Sequence, residues 1–289
     1  MTALGFFDGV HAGHAALLRR AVDVARRDGL EPCVITFDVH PGALVHGQPQ
    51  PLLNTPSERA ALIRAKGIGE TLALTFDRCM MRMPWQEFIG YIKGLGAARF
   101  VVGHDFRFGY RGEGDAERLA ALCGAACDII PEVKIDGITV SSTYIRGLVA
   151  SGDMERAALF LGRPHFISGT VAHGRGIGTG LGAPTINIPI PEGIQPPAYG
   201  VYFTRVHPGM PEGGGMPAVT NVGVRPTFGD AGAGVTVEST ILDFSGGLYG
   251  KPVCVEFLRH IRPERRFEDA ARLREQIGRD IAAARDFFG

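Results

Sequence analysis

The first part of the chain alternates short apolar runs with amphipathic stretches. Apolar runs that predict buried strands occur at 2–6, 32–37, 71–75, 99–102 and 128–133. Between them, apolar residues recur at helical spacing, as in His14–Arg27, and the sequence Thr55 to Glu58 is typical of a capping box at a helix start. Strands that alternate with helices in this way predict a Rossmann-like α/β domain with a parallel sheet covered on both faces.

The remainder of the chain has a different pattern. Two helices are predicted at 142–150 and 153–161, with Gly152 between them. Apolar residues then recur at every second position in four runs, which are 166–172, 199–206, 235–242 and 253–258. An amphipathic helix is predicted at 267–288. We therefore expect a second domain, an antiparallel β-barrel with a closing helix, and we place the two domains at 1–155 and 156–289.

Composition and charge narrow the class of protein. Of the 289 residues, 45% are hydrophobic and 21% are charged, which suffices for a packed core. Thirty basic residues balance thirty acidic ones, so we expect neither a nucleic-acid partner nor a membrane surface. The five cysteines are scattered without a C-x-x-C pair, which argues against a zinc site or a disulfide framework. No signal peptide and no apolar stretch of ~18 residues is found, so we expect a soluble cytoplasmic protein.

The segment Gly5–His14, GFFDGVHAGH, lies between the first predicted strand and the first predicted helix. In doubly wound sheets this turn borders the ligand crevice, and the free N–H groups of a helix N-terminus bind anions. His11 and His14 add donors that suit the phosphates of a nucleotide. The alternative is that one histidine caps the helix and the other lies at the surface.

A second glycine-rich segment lies near the middle of the chain. Glycine stands at every second position, at Gly174, Gly176, Gly178, Gly180 and Gly182. The segment is neither a P-loop nor a dinucleotide fingerprint. Such a backbone can lie against a phosphate or form a mobile flap.

Two polar residues follow this segment on a predicted strand. Thr185 and Asn187 share one face of the strand, and their oxygens suit Mg²⁺. The alternative is a flexible hairpin loop followed by ordinary strand residues.

Four segments of the first domain together resemble the bacterial FAD synthetases, which belong to the H-x-G-H nucleotidyltransferases. They are Gly5–His14, TFDVHP at 36–41, VGHDFRFG at 102–109 and SSTYIR at 141–146. The resemblance implies that this domain adenylylates FMN with ATP to give FAD and pyrophosphate. It implies catalytic roles for His11, His14 and Arg146. The implied ATP- and phosphate-binding residues are Gly5, Phe7, Asp8, His11, His14, Ser142, Thr143 and Arg146. The implied flavin-binding residues are Asp38, His40, Asp105, Phe106 and Phe108.

Each of these segments also has a simpler explanation. Ser141–Thr143 is typical of an ordinary helix cap. Phe106 and Phe108, two positions apart, are equally typical of core residues, and His40 with Pro41 is typical of a turn after a strand.

The second domain resembles a riboflavin kinase. The resemblance runs through 169–187, NVGVRPTFG at 221–229, VES at 237–239, LYGK at 248–251 and the spacing of Arg262 and Phe267. It implies phosphorylation of riboflavin by ATP and Mg²⁺, with Glu238 as the base, which is otherwise a solvent-facing strand residue. Thr185 and Asn187 are the implied metal ligands. The implied loop contacts to ATP or flavin are Gly174, Gly176, Gly178, Gly180, Gly182, Asn221 and Arg262.

The sequence therefore predicts a bifunctional enzyme whose ligands are riboflavin, FMN, FAD and ATP. One alternative keeps FAD synthesis alone, with the barrel as a flavin-binding regulatory module. Another is an RNA- or protein-binding adaptor, because small barrels often bind oligonucleotides. The neutral charge of both halves and the absence of interleaved aromatic and basic residues disfavour the adaptor.

Overall fold

The computed structural model describes residues 1–47, 49–172, 185–211, 213–225 and 234–289. The chain forms two compact units, Met1–Tyr144 and Ile145–Gly289. This division comes before the predicted boundary between residues 155 and 156, and the extent of each catalytic domain stays a prediction. No helix in the described ranges has the length and apolar character needed to cross a membrane.

The first unit is built on a parallel sheet. Its strands are β1 (Thr2–Leu4), β2 (Cys33–Phe37), β3 (Glu70–Leu74), β4 (Phe100–Gly103), β5 (Arg107–Phe108), β6 (Gly114–Asp115), β7 (Cys127–Ile130), β8 (Lys134–Ile135) and β9 (Ile138–Thr139). Five of them form the sheet in the order β3-β2-β1-β4-β7, with every neighbouring pair parallel. The strand order reverses between β1 and β4, which is where doubly wound sheets bind ligands. The predicted α/β class is confirmed.

Helices cover both faces of this sheet. The helices of this unit are α1 (Ala12–Asp28), α2 (Pro41–His46), α3 (Pro56–Arg64), α4 (Arg78–Arg82), α5 (Trp85–Gly94) and α6 (Ala116–Cys123). The next helix, α7 (Ser142–Ser151), crosses the division between the units. Ala3 packs in the core with Leu18 of α1, whereas Leu4 packs in the other core with Phe88 of α5. Adjacent residues of one strand thus serve opposite faces of the sheet, as the strand geometry requires.

The second unit contains an antiparallel sheet. Its elements after α7 are α8 (Met154–Leu161), β10 (His165–Thr170), β11 (Thr185–Pro189), β12 (Gly200–Pro208), β13 (Met216–Arg225), β14 (Gly234–Ile241), β15 (Pro252–Pro263) and α9 (Ala270–Phe288). The sheet order is β10-β15-β12-β13-β14-β11. The N–H of Ala172, just after β10, donates to the carbonyl of Asn187 in β11 at 2.8 Å, so the two ends of the sheet curl toward each other.

The last helix covers one face of this half-barrel. Ala284 of α9 is fully buried against Val201, Phe203 and Val219 of β12 and β13. The predicted antiparallel barrel with a closing helix is therefore confirmed as a six-stranded antiparallel half-barrel. One strand was missing from the predicted pattern, because β13 occupies a segment that shows no clear alternation.

Candidate active sites

The turn after β1 has an unusual backbone. Phe7, Gly9 and Val10 have φ values of 62°, 79° and 42°. Residues other than glycine rarely adopt positive φ, and such strain is concentrated at functional sites. The turn begins at Gly5, where a Cβ would lie 3.2 Å from the ring of Phe7. The local geometry thus favours glycine at positions 5 and 9, whereas Phe7 and Val10 are held in a strained conformation.

Asp8 connects this turn to two distant parts of the unit. Its buried carboxylate accepts a hydrogen bond from the N–H of Leu53 at 2.8 Å. Its carbonyl accepts a hydrogen bond from Oγ of Ser142 at 2.9 Å. Two segments predicted to bind the same ATP molecule are therefore in direct contact, although they lie near opposite ends of this unit's sequence.

The two histidines lie together at the start of α1. Nδ1 of His11 accepts the N–H of His14 at 3.3 Å, so His11 caps the helix as the alternative interpretation proposed. Its ring is nevertheless stacked on that of His14, with centroids 3.6 Å apart. Because Nδ1 accepts this bond, the proton of the neutral ring is on Nε2, which is a donor. His11 can therefore cap helix α1 through Nδ1 and still offer its Nε2–H to a ligand.

Both imidazoles are held neutral in this environment. Burial lowers the pKa of His11 to about 4. Burial, together with the charges of His11 and Arg59, holds the pKa of His14 well below its usual range. Gly13 allows the rings this position, since a Cβ there would lie 3.2 Å from the His11 ring. At neutral pH the pair therefore offers hydrogen bonds and no fixed positive charge.

The Ser-Ser-Thr segment at 141–143 makes two kinds of contact, one that caps a helix and one with the turn after β1. Oγ of Ser141 accepts the N–H of Tyr144 at 3.2 Å, as expected of a helix cap. Ser142 instead contacts Asp8, as described above. Thr143 and Arg146 follow on α7, one turn of helix apart.

The predicted flavin residues after β2 are held by local hydrogen bonds, and one of them, His40, contacts the turn after β1. The carboxylate of Asp38 accepts the N–H groups of Val39 at 2.8 Å and Phe76 at 2.9 Å. His40 is not part of a simple turn, because it caps the short helix α2 by accepting the N–H of Gly42 at 3.0 Å. Its ring packs edge-on against that of Phe6, with centroids 4.7 Å apart.

The predicted flavin residues after β4 divide into two groups. Asp105 is exposed and Phe106 is partly buried. The ring of Phe108 is buried in the core beside Phe88, and it stacks against Phe106 with centroids 5.3 Å apart. Phe108 thus supports Phe106 from the core side, and the flavin contacts of all three residues stay predictions.

Arg59 is a residue of this site that the sequence analysis missed. It is buried on α3, and Nη2 donates to the carbonyl of Phe37 at 2.8 Å. An arginine after a capping box resembles an ordinary charged helix residue, so the sequence contained no signal for its burial.

The second unit contains a cavity of about 290 Å³ between the half-barrel and α9. Its lining residues are Thr185, Val201, Val219, Asn221, Glu238, Thr240, Arg262, Glu264, Arg265, Phe267, Leu273, Ile277 and Asp280. In the strand register, Glu238 of β14 lies opposite Asn187 of β11 on one side and Asn221 of β13 on the other. The predicted base is therefore in the middle of a cross-strand row with two amide side chains.

Asn187 has the properties expected of a ligand-binding residue. It is 3% exposed, and neither its Oδ1 nor its Nδ2 has a hydrogen-bond partner in the described ranges. Buried polar atoms are seldom left unpaired, so a bound group would be expected to satisfy them. Thr185 lies two positions earlier on the same strand face and is also buried.

These oxygens fit the predicted Mg²⁺ site. Hydroxyl and amide oxygens are hard ligands of the type that Mg²⁺ takes together with substrate phosphates. The described residues contain no group of three His, Cys, Asp or Glu side chains that could hold a metal ion. Thr185 and Asn187 are thus the described residues that would hold the predicted ion.

Arg262 lines the cavity and is held by the closing helix. Its Nη2 donates to Oδ2 of Asp280 at 2.7 Å, and Nε2 of Gln276 donates to Oδ1 of the same carboxylate at 2.8 Å. Asp280 is 6% exposed. Neither Asp280 nor Gln276 was predicted, because a charged residue in an amphipathic helix is normally solvated.

Part of the predicted kinase site lies outside the described residues. This applies to all five loop glycines, Gly174, Gly176, Gly178, Gly180 and Gly182, and to residues 226–229 of the N-x-G-x-x-P-T-F-G segment. Their predicted contacts with ATP or flavin stay predictions.

Comparison with protein families assigns both units. Residues 1–144 match the FAD synthetase family model, and residues 161–288 match the riboflavin kinase family model. A solved structure described as a macrolide-efflux protein from Streptococcus pneumoniae has the same fold, with a TM-score of 0.86 and 31% identity. That match covers 98% of this chain and 93% of the other.

Full-length relatives have the same two-part organisation. The chain is 35% identical to the bifunctional riboflavin kinase/FMN adenylyltransferase of Pseudomonas fluorescens and 32% identical to that of Bacillus subtilis strain 168. Each alignment covers 99% of this chain and 92% of the relative. With both family models matched in order and full-length similarity above 30%, the chain belongs to the family of bifunctional riboflavin kinase/FMN adenylyltransferases.

Proposed function

We propose that the turn around His11 is the site of FMN adenylylation and that the cavity around Glu238 is the site of riboflavin phosphorylation. The observation that carries the assignment is the cross-strand row of Asn187, Glu238 and Asn221, of which Glu238 and Asn221 line the cavity in the kinase unit. The contact between Ser142 and Asp8 supports the corresponding assignment in the other unit.

In the adenylyltransferase site the nucleophile is already an anion. A phosphate oxygen of FMN forms a bond to the α-phosphorus of ATP while the bond to pyrophosphate breaks, and pyrophosphate leaves with the electron pair. No proton has to be removed, so the chain contributes positioning and neutralisation of charge. His11 and His14 donate hydrogen bonds to the phosphates. Ser142, Thr143 and Arg146 bind the leaving pyrophosphate.

In the kinase site a neutral hydroxyl has to be activated. Glu238 accepts the proton of the riboflavin 5′-hydroxyl as its oxygen bonds to the γ-phosphorus, and ADP leaves with the electrons of the broken bond. Thr185 and Asn187 would hold Mg²⁺, which supplies positive charge to the phosphates. Arg262, fixed by Asp280, lines the same cavity.

One assay tests the assignment of both reactions. The protein is incubated with riboflavin, ATP and MgCl₂, and FMN and FAD are separated by chromatography. Formation of both products supports the proposal. FAD from supplied FMN without FMN from riboflavin would favour a kinase unit that only binds flavin. The cytoplasm, where ATP is available, is our proposed location for both reactions.

A further inference from the structure

Arg59 places a positive charge inside the adenylyltransferase unit. The residue follows the capping box of Thr55 and Glu58 on α3, and its side chain is only 2% exposed. Burial lowers the pKa of Arg59, an effect that the carboxylate of Asp8 partly opposes. A buried guanidinium is costly unless anions and acceptors surround it. The position is therefore one where an anionic ligand would be stabilised.

The guanidinium is fixed at the ligand-binding edge of the sheet. Its Nη2 donates to the carbonyl of Phe37, the last residue of β2, at 2.8 Å. Its central carbon lies 4.0 Å from the ring centroid of Phe6, two residues after β1. Both contacts are at the carboxyl ends of parallel strands, where such sheets bind ligands.

Arg59 lies between residues assigned to different substrates. Phe6, on which the guanidinium rests, also contacts the ring of His40 on the predicted flavin side. The positive charge of Arg59 also contributes to the lowered pKa of His14, which is predicted to bind ATP phosphates. The guanidinium is consequently close to both predicted binding regions.

Two polar atoms in this region are unsatisfied. Nη1 of Arg59 and Nδ1 of His14 are both buried without a hydrogen-bond partner in the part of the chain that the structure describes. A phosphoryl oxygen is a strong acceptor for a guanidinium N–H, and such charge-assisted bonds are among the strongest in proteins.

We propose that Arg59 is a further catalytic residue of FMN adenylylation, which donates from Nη1 to a phosphoryl oxygen where the α-phosphate of ATP meets the phosphate of FMN. Two phosphates repel each other as they approach, and a fixed cation between them offsets this repulsion without having to move. Arg59 transfers no proton. The new phosphate–oxygen bond forms and pyrophosphate leaves as described above, so the inference rests on the proposed function of this unit.

The test compares two substitutions of Arg59 with a matched control. Arg59→Met keeps the length and apolar contacts of the side chain, whereas Arg59→Lys keeps the charge. Arg64→Met removes an exposed arginine from the same helix. FAD formation from FMN is measured in two series, one with ATP varied at saturating FMN and one with FMN varied at saturating ATP. FMN formation from riboflavin by the same samples, and their thermal unfolding, report on the fold.

We expect Arg59→Met to lower kcat/KM for FAD formation by about 10²–10³-fold and Arg59→Lys by about tenfold, because an ammonium cannot reproduce the planar fork. Arg64→Met should match the wild type, and FMN formation should be unchanged in all three. The substrate whose KM rises more identifies which phosphate Arg59 contacts.

Wild-type FAD formation by Arg59→Met would overturn the proposal. If Arg59→Met does not fold, wild-type kcat/KM in a normally folded Arg59→Lys variant would overturn it instead. Failure of the wild-type protein to make FAD would contradict the proposed function of the unit, which is a distinct result.

Discussion

Glu238 on β14 lies directly opposite Asn187 on β11 in the strand register. The proposed proton acceptor and a proposed metal ligand are thus placed side by side by backbone pairing alone. Since the register of neighbouring strands fixes which side chains are adjacent, this part of the site is as rigid as the half-barrel itself.

Replacing Glu238 with Gln should abolish FMN formation while the protein stays folded. The substitution is nearly isosteric but removes the base, so we expect a loss of about 10²–10⁴-fold in the rate of riboflavin phosphorylation. FAD formation from supplied FMN should be unchanged. Glu192→Gln, at an exposed turn of the same unit, is the control. Near wild-type FMN formation by Glu238→Gln would show that another group accepts the proton.

A methyl group at Gly13 should disturb the histidine pair. The added Cβ would lie 3.2 Å from two atoms of the His11 ring, closer than an ordinary contact, so the ring has to shift. We expect Gly13→Ala to lower FAD formation by about tenfold, since an error of about 1 Å in positioning is costly. Gly90→Ala on α5 meets no atom within 4 Å and should leave the rate unchanged. Steady-state kinetics of both variants would check this, and equal rates would mean that the ring position is not critical.

The stability of the first unit should depend on pH through His11. The folded-state pKa of about 4 is below the ordinary value of 6.5, so the unfolded chain binds more protons between these values. The free energy of unfolding therefore falls as the pH is lowered from about 6.5 to about 4, by on the order of 2–3 kcal/mol for this residue. His11→Asn keeps a good capping residue and removes the titration. Chemical denaturation at several pH values should show a smaller decrease for His11→Asn than for the wild type, and equal decreases would contradict the assignment.

Removing the charge of Asp280 should weaken the kinase site and its unit. Breaking one partner of a buried ion pair leaves the other charge unpaired, which typically costs about 3–5 kcal/mol. We expect Asp280→Asn, which keeps one acceptor, to lower the unfolding temperature and to raise KM for riboflavin. Asp286→Asn, exposed on the same helix, is the matched control. An unchanged KM with Asp280→Asn would show that the Arg262–Asp280 pair does not position the cavity wall.

The parts of the fold that could be predicted are those in which each element has a clear period. Strands β1, β2 and β4 and helices α1 and α8 were predicted because their apolar residues are continuous or helically spaced. Helices α2 and α4, of six and five residues, are too short to show a period. Strand β13 contains Asn221 and Gly223 on the same face as the buried Val219, where a simple alternation would place apolar residues.

The candidate sites were predicted to a similar extent. His11, Ser142, Glu238 and Asn187 were predicted because each belongs to a short motif, and the motifs occur along the chain in the same order as in the families they resemble. Arg59 and Asp280 were missed for a physical reason. Both are charged residues on helices, and only the tertiary packing around them determines that they are buried and not solvated.

The pairing of β14 has a consequence for how the kinase unit can fail. Val237 and Ser239, on either side of Glu238, are fully buried on the opposite face of the strand. Sliding β14 by a single residue would bury the carboxylate of Glu238 on the opposite face and place Val237 or Ser239 opposite Asn187. Burying an unpaired carboxylate is costly, so this inactive register would also be strongly disfavoured. The register that stabilises the half-barrel is therefore the same register that places the proposed base in the site, so a stably folded kinase unit has Glu238 in its functional position.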